Sequence, residues 1–209
     1  MLNFKAIDKS WTLFLDRDGV INREVLGEYV LHTSQFFFYD DTLRALEILN
    51  NHFGTIVIVT NQKGVGKGIM TQTDLDEIHD NMMRQVSATG GRIDKIYFAT
   101  GLDNESPYRK PQTGMALHAK EDFPNIDFSK SVMAGNKITD MEFGRNAGMA
   151  TVLKVLSNIL YQPLTEVSGC FKAGDFVFWL NALLIKKSTT TIKKFIFFVS
   201  LIFIVIIYL

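Results

Sequence analysis

Asp16 and Asp18, two carboxylates two residues apart in the stretch FLDRDGVIN (residues 14–22), directly follow the apolar run WTLFL. Like charges set together at the end of a buried strand repel, so folding alone gains nothing from them. At i, i+2 along an extended chain their side chains share one direction. Such a pair can divide a reaction, one acid acting as nucleophile and the other as general acid and base. Two anions facing a phosphate need compensation, which Mg²⁺ with oxygen ligands provides. Elsewhere an aspartate pair is a helix cap or a surface loop, but here a fully apolar run feeds it and Gly19 follows.

Other clusters suit the same chemistry. Thr60 and Asn61 follow the β-branched run TIVIV, where the Thr60 hydroxyl could donate to a phosphoryl oxygen. Arg109-Lys110-Pro111 sets two cations in a loop, with the proline holding Lys110 extended. Beside an aspartate pair, these cations are the expected clamp for a transferring phosphoryl group. Asp140, at the end of GNKITD, is a candidate metal ligand whose plainer reading is an acid at a helix N-terminus. His32, His52, His79 and His118 are scattered and read as structural or exposed.

The elements that must position these groups alternate. Residues 11–15, 55–59, 96–99, 131–134 and 151–155 read as strands. Residues 42–53, with Asp40 or Asp41 as N-cap, 73–86, opened by Thr73, and 114–122 read as helices, and a further helix follows GNKITD to Ala147. This alternation predicts an α/β fold, a three-layer Rossmann-like parallel sheet with helices on both faces. Ligands of such sheets bind outside the carboxyl ends of the strands, which is where Asp16 and Asp18, Thr60 and Asn61, and Asn136 to Asp140 fall. Only 41 residues separate Asp18 from Thr60, and 49 separate Thr60 from Lys110, so no separate cap domain fits.

Composition narrows the function. Lys+Arg 22 against Asp+Glu 22 leaves no basic excess for nucleic acid. A single cysteine, Cys170, excludes an internal disulfide and suits a reducing compartment, and the N-terminus shows no secretory signal. The glycine-rich segment TNQKGVGKG fails the P-loop pattern, with Asn61 at its first glycine and Gly68 at its Ser/Thr, and its glycines are misspaced for a dinucleotide fold. It reads as a flexible glycine loop carrying Lys63 and Lys67.

FLDRDGVIN, TNQ, RKPQTGM and GNKITDMEFGRNAGM, in that order, resemble the four motifs of the haloacid dehalogenase-type phosphohydrolases. Within these the chain is similar to the D-glycero-D-manno-heptose 1,7-bisphosphate phosphatases and their relatives, the histidinol phosphatases, over about residues 8–180. The resemblance implies that Asp16 attacks phosphorus to form an aspartyl-phosphate, and that Asp18 protonates the leaving oxygen and then activates water. It implies that Thr60, Asn61 and Gln62 hold the phosphoryl group, and that Lys110, helped by Arg109, stabilises its charge. Mg²⁺ would bridge Asp16, the Asp18 carbonyl and the fourth motif. The chain departs from the pattern twice. Asn136 stands where the fourth motif has its first aspartate, so that Asn136 or Asp140 completes the metal site. The segment ATGLDNESPY lacks the Cys/His zinc loop of many heptose bisphosphatases, so no zinc is expected. The implied substrate is a small phosphorylated metabolite, foremost the C7 phosphate of heptose bisphosphate, with histidinol phosphate second. A degenerate protein that binds such a ligand without turnover is the alternative that Asn136 raises.

The phosphatase domain is assigned to residues 1–186, and residues 187–209 to a basic linker and apolar tail. FIFFVSLIFIVIIYL (residues 195–209) has no charge and follows Lys186, Lys187, Lys193 and Lys194. As a helix it would be about 22 Å long, against roughly 30 Å of hydrocarbon. It reads either as a membrane anchor leaving the phosphatase in the cytoplasm, through the positive-inside bias, or as a gene-end artefact of low complexity.

Overall fold

The computed structural model describes residues 6–24, 27–103 and 106–154. The apolar tail, the 186/187 boundary and Cys170 lie outside the described residues. Five strands, β1 (Thr12–Leu15), β2 (Thr55–Asn61), β3 (Lys95–Ala99), β4 (Ser131–Gly135) and β5 (Ala150–Leu153), form one parallel sheet in the order β3-β2-β1-β4-β5. The helices are α1 (Thr42–His52), α2 (Lys63–Gly66), α3 (Gln72–Ala88), α4 (Gly114–Asp122) and α5 (Ile138–Asn146). The expected three-layer arrangement is therefore present.

The two faces follow from the strand period of two. Leu13, Leu15, Ile56 and Ile58 pack in one core with Leu46 and Leu49 of α1 and Leu75, Ile78 and Met82 of α3. The alternate residues Phe14, Val57 and Val59 pack on the other face with Met115 and Ala119 of α4 and Phe143 of α5. Burial on both faces explains why β1 and β2 read as unbroken apolar runs. Each fully buried side chain of this size contributes about 1.5–3 kcal/mol, which anchors the strand ends from which the polar groups project.

Three local readings change. Helix α3 begins earlier than Thr73: Thr71 caps it, accepting from Asp74 N at 3.1 Å while Asp74 Oδ2 accepts from Thr71 N at 2.7 Å. Asp41 occupies the N-cap of α1 without a side-chain capping bond. Thr42 Oγ1 instead donates to Ile21 O at 3.1 Å and ties the helix to the loop after β1. The glycine segment after β2 is the short helix α2 rather than a flexible loop. A Cβ on Gly66 would stand 2.2 Å from Thr100 O, so this glycine serves close approach of backbone to backbone. Between β1 and α1 the described chain holds only a 3₁₀ turn (Thr33–Gln35) and the bridges Asp18↔Asn22 and Asn22↔Phe38, so no cap domain is inserted there. Among the described residues no helix is long and apolar enough to cross a membrane.

Candidate active site

The central strand β1 pairs with β2 on one side and β4 on the other, so the chain order reverses beside it. That is the crevice where open α/β sheets bind ligands. Asp16 leaves β1 at this point, its N–H donating to Ala134 O of β4 at 3.0 Å. Its Oδ1 accepts from Arg17 N at 2.8 Å and from Lys110 Nζ at 2.9 Å, while Oδ2 has no hydrogen bond among the described residues. Lys110 Nζ also reaches Val59 O at 2.7 Å and pairs with Asp140 Oδ1 at 2.6 Å. An ammonium has three donors, and three protein oxygens surround this one. Burial holds the Asp16 pKa well above the ordinary carboxylate range, and the Asp140 charge adds to the effect, with Lys110 only partly opposing it. Burial would favour a neutral Lys110 amine, but Asp140 and Asp16 outweigh it and keep the ammonium charged.

Asn61 supports this lysine from behind. Its Nδ2 donates to Lys110 O at 3.1 Å and its Oδ1 accepts from Lys110 N at 3.0 Å, a reciprocal clamp on the backbone of the RKP loop. Arg109 is buried beside it, with Nη1 donating to Gly101 O at 3.4 Å.

Asp18 sits in a different setting. Arg17 folds back so that Nη2 donates to both its oxygens, at 2.9 and 3.0 Å. Asn22 Nδ2 donates to Oδ1 at 3.0 Å and Gln62 Nε2 to Oδ2 at 2.7 Å. Burial alone would raise the Asp18 pKa, but the Arg17 charge and these donors outweigh it and hold it below the usual value. The Arg17 guanidinium is itself buried, meeting Gln62 Oε1 at 3.2 Å and His79 Nε2 at 3.1 Å. His79 is pushed down to about 3, by burial first and then by the Arg17 charge, so its ring is neutral and accepts. Gln62 Nε2 also donates to Thr60 Oγ1 at 2.9 Å, joining the end of β2 to Asp18.

The fourth cluster closes the site from β4. Asp140 Oδ2 accepts from Asn136 N at 3.0 Å and Lys137 N at 2.9 Å, and its Oδ1 faces the Lys110 ammonium. It is buried, Oδ2 accepting these two hydrogen bonds while Oδ1 has the ion pair with Lys110 and no hydrogen bond aligned on it. Asn136 Nδ2 donates to Glu24 Oε2 at 3.0 Å, and its Oδ1 is buried with no hydrogen-bond partner. Gly19 lies against this amide at φ +86°, and a Cβ there would fall 2.0 Å from Asn136 Nδ2. Only glycine fits both the backbone and the contact.

The predicted residues thus converge, with a redistribution of partners. Asp16, Lys110 and Asp140 form one ionic group; Asp18 and Gln62 belong to a second built on Arg17, which Thr60 joins through Gln62. Asn61 braces Lys110, and Asn136 pairs with Glu24. Arg17, Asn22, His79 and Glu24 were not singled out as site residues. Arg17 lies between the two aspartates and Asn22 ends the FLDRDGVIN motif, while nothing local points to His79 or Glu24.

The chain is similar to known proteins over most of its length. A family model described as polynucleotide kinase 3 phosphatase matches residues 13–183. The D-glycero-alpha-D-manno-heptose-1,7-bisphosphate 7-phosphatase of Mycobacterium bovis is 37% identical over 141 residues, 67% of this chain and 74% of the relative. Its Campylobacter jejuni counterpart is 34% identical over 174 residues, 80% of this chain and 99% of the relative. The crystal structure of D,D-heptose 1,7-bisphosphate phosphatase from B. bronchiseptica, complexed with magnesium and phosphate, superposes with a TM-score of 0.71 at 26% identity, covering 85% of this chain and 99% of that one. With these relatives, the parallel sheet and the aspartate pair at its switch point place the chain among the phosphatases of the haloacid dehalogenase type. Within that class, the chain belongs to the family of the heptose-bisphosphate phosphatases.

Proposed function

We propose that this phosphatase is Mg²⁺-dependent and hydrolyses the C7 phosphate of D-glycero-D-manno-heptose 1,7-bisphosphate through an aspartyl-phosphate on Asp16. The observation that carries the reading is the asymmetry of the Asp16 carboxylate, whose Oδ1 is held by Lys110 and Arg17 N while Oδ2 is left to attack. Oδ2 forms a bond to phosphorus as the ester bond to the sugar oxygen breaks, and that oxygen takes its proton from Asp18. Asp18 then takes a proton from water, which attacks phosphorus and frees Asp16. In the resting site Asp18 is ionised, and the arriving phosphate, an anion, raises its proton affinity. Thr60, whose oxygen accepts from Gln62, keeps a hydroxyl proton to donate to the phosphoryl group. Lys110 fixes the nucleophile, and Asn61 fixes Lys110.

Among the described residues no three His, Cys, Asp or Glu side chains converge on a metal. A cation here would be held by mixed oxygens, from Asp16, the Asp18 backbone and the Asn136 side chain. The buried, unpartnered Asn136 Oδ1 fits that demand, since Mg²⁺ takes neutral amide and carbonyl oxygens as well as carboxylates. Asp140, already held by two backbone N–H groups and Lys110, supports the loop. When bound, Mg²⁺ would supply neutralisation of the phosphoryl oxygens.

The substrate assignment is supported by relatives that carry this name, and the test is turnover on a panel of phosphosugars and histidinol phosphate with Mg²⁺. The expected result is release of phosphate from the heptose bisphosphate with a kcat/KM at least about tenfold above any other ester. Preference for histidinol phosphate, or binding without turnover of any ester, would overturn the assignment.

A further inference from the structure

We infer that Glu24 is a positioning residue for Asn136, holding its amide so that the carbonyl oxygen is left free to face the cation. A carboxylate only accepts hydrogen bonds, so the Glu24 Oε2 contact at 3.0 Å admits only the NH₂ end of the Asn136 amide. The opposite end, Oδ1, is thereby directed away from Glu24, and it is the buried atom with no partner. Gly19 lies against the same amide, where any Cβ would collide with it. Glu24 is in turn held by Lys137 Nζ on Oε1 at 2.6 Å, so the pair of contacts fixes both of its oxygens. An aspartate at position 136 would have no N–H to offer, and would instead set a second carboxylate against Glu24. The pairing of Asn136 with Glu24 is therefore one solution, and a carboxylate at position 136 facing a neutral residue at position 24 would be the other.

This inference rests on the proposal that a divalent cation binds at Asn136. Mg²⁺ is titrated calorimetrically into metal-stripped wild type, Glu24→Gln, Asn136→Asp and the double variant, and the thermal midpoint of each is read without and with Mg²⁺. Glu24→Gln is expected to weaken Mg²⁺ binding about tenfold, because glutamine can present an N–H to the asparagine and so no longer fixes which end of its amide faces the cation. Adding Asn136→Asp to it should restore the wild-type affinity, which makes the two substitutions strongly non-additive. Asn136→Asp alone should lower the metal-free midpoint by several degrees, and Mg²⁺ should recover more of that loss than it adds to wild type. This second readout decides the matter even if Glu24→Gln does not fold. Unchanged affinity in Glu24→Gln, additive effects in the double variant, or an unchanged metal-free midpoint in Asn136→Asp would overturn the inference. Absence of binding heat with wild type would overturn the cation site itself, and this inference with it.

Discussion

Asp16 and Asp18 are the same residue type two positions apart, yet their surroundings move them in opposite directions. Asp16 is buried, faces the Asp140 charge and has one cation shared among three acceptors, and its proton affinity rises. Asp18 has a guanidinium bidentate on it and two amide donors, and its proton affinity falls. Two acids with separated proton affinities are what a divided reaction requires. In the proposed reaction Asp16 works ionised and Asp18 passes through a protonated form, so each shift runs against the role proposed for it. A cation beside Asp16 and a phosphate beside Asp18 would each shift its neighbour the right way.

The sharpest way to break the comparison is Asp16→Asn. It removes the attacking oxygen while keeping the contact geometry, so turnover should fall by at least about 10³-fold while phosphate-ester binding persists. Labelled phosphate trapped on wild-type protein should be absent from the variant, and a tenth of the wild-type rate in Asp16→Asn would refute covalent catalysis. Lys110→Met attacks the same side through stability. It leaves Asp16 and Asp140 buried with no cation between them, a loss of about 3–5 kcal/mol for breaking a buried pair. Urea unfolding measures it. A shift below ~1 kcal/mol would show that solvent compensates these carboxylates.

His79 gives a smaller, pH-dependent contrast on the Asp18 side. Its folded pKa of about 3 lies below the unfolded value, so between these the unfolded chain binds the extra proton. Stability from neutral His79 is complete above about pH 6.5 and is lost as pH falls toward 3, reaching about 2 kcal/mol at pH 5. His79→Gln, which keeps an acceptor for Arg17, should flatten that acid limb. Equal acid sensitivity of the two proteins in urea titrations at pH 7 and pH 5 would show that the histidine is not held neutral.

What was legible in the chain divides along sequence distance. The strands β1 and β2 and the placement of Asp16, Asp18 and Thr60 were readable because burial on both faces leaves an unbroken apolar run that stops at a polar residue. Lys110 and Asp140 were readable as site members, but not as partners of each other, since nothing local joins positions 30 residues apart. Glu24 meets Asn136 across 112 residues, and Arg17 meets His79 across 62. Such pairings are decided by loop paths that carry no period. The resemblance implies that Asn61 and Gln62 hold the phosphoryl group; in the free protein their amides satisfy the backbone of Lys110 and the Asp18 carboxylate, groups that would otherwise be left without donors or acceptors. The glycines after β2 suggested mobility, but the close approach of Gly66 to Thr100 shows that a small residue can equally mark tight packing.

The smallest expected effect concerns the segment farthest from both aspartates in sequence. Every residue placed in the site lies at or before Asp140, and the last strand among the described residues ends at Leu153. Truncation after Lys187 should therefore leave kcat and KM for the preferred ester within about twofold of the full chain, because no catalytic contact is removed. Fractionation of the intact chain tests the tail separately. Recovery with membranes, lost on truncation, would support an anchor, and recovery of both forms in the soluble fraction would exclude it. A tenfold fall in kcat on truncation would instead mean that residues beyond 187 reach the site, and the separation between a catalytic body and its tail would have to be redrawn.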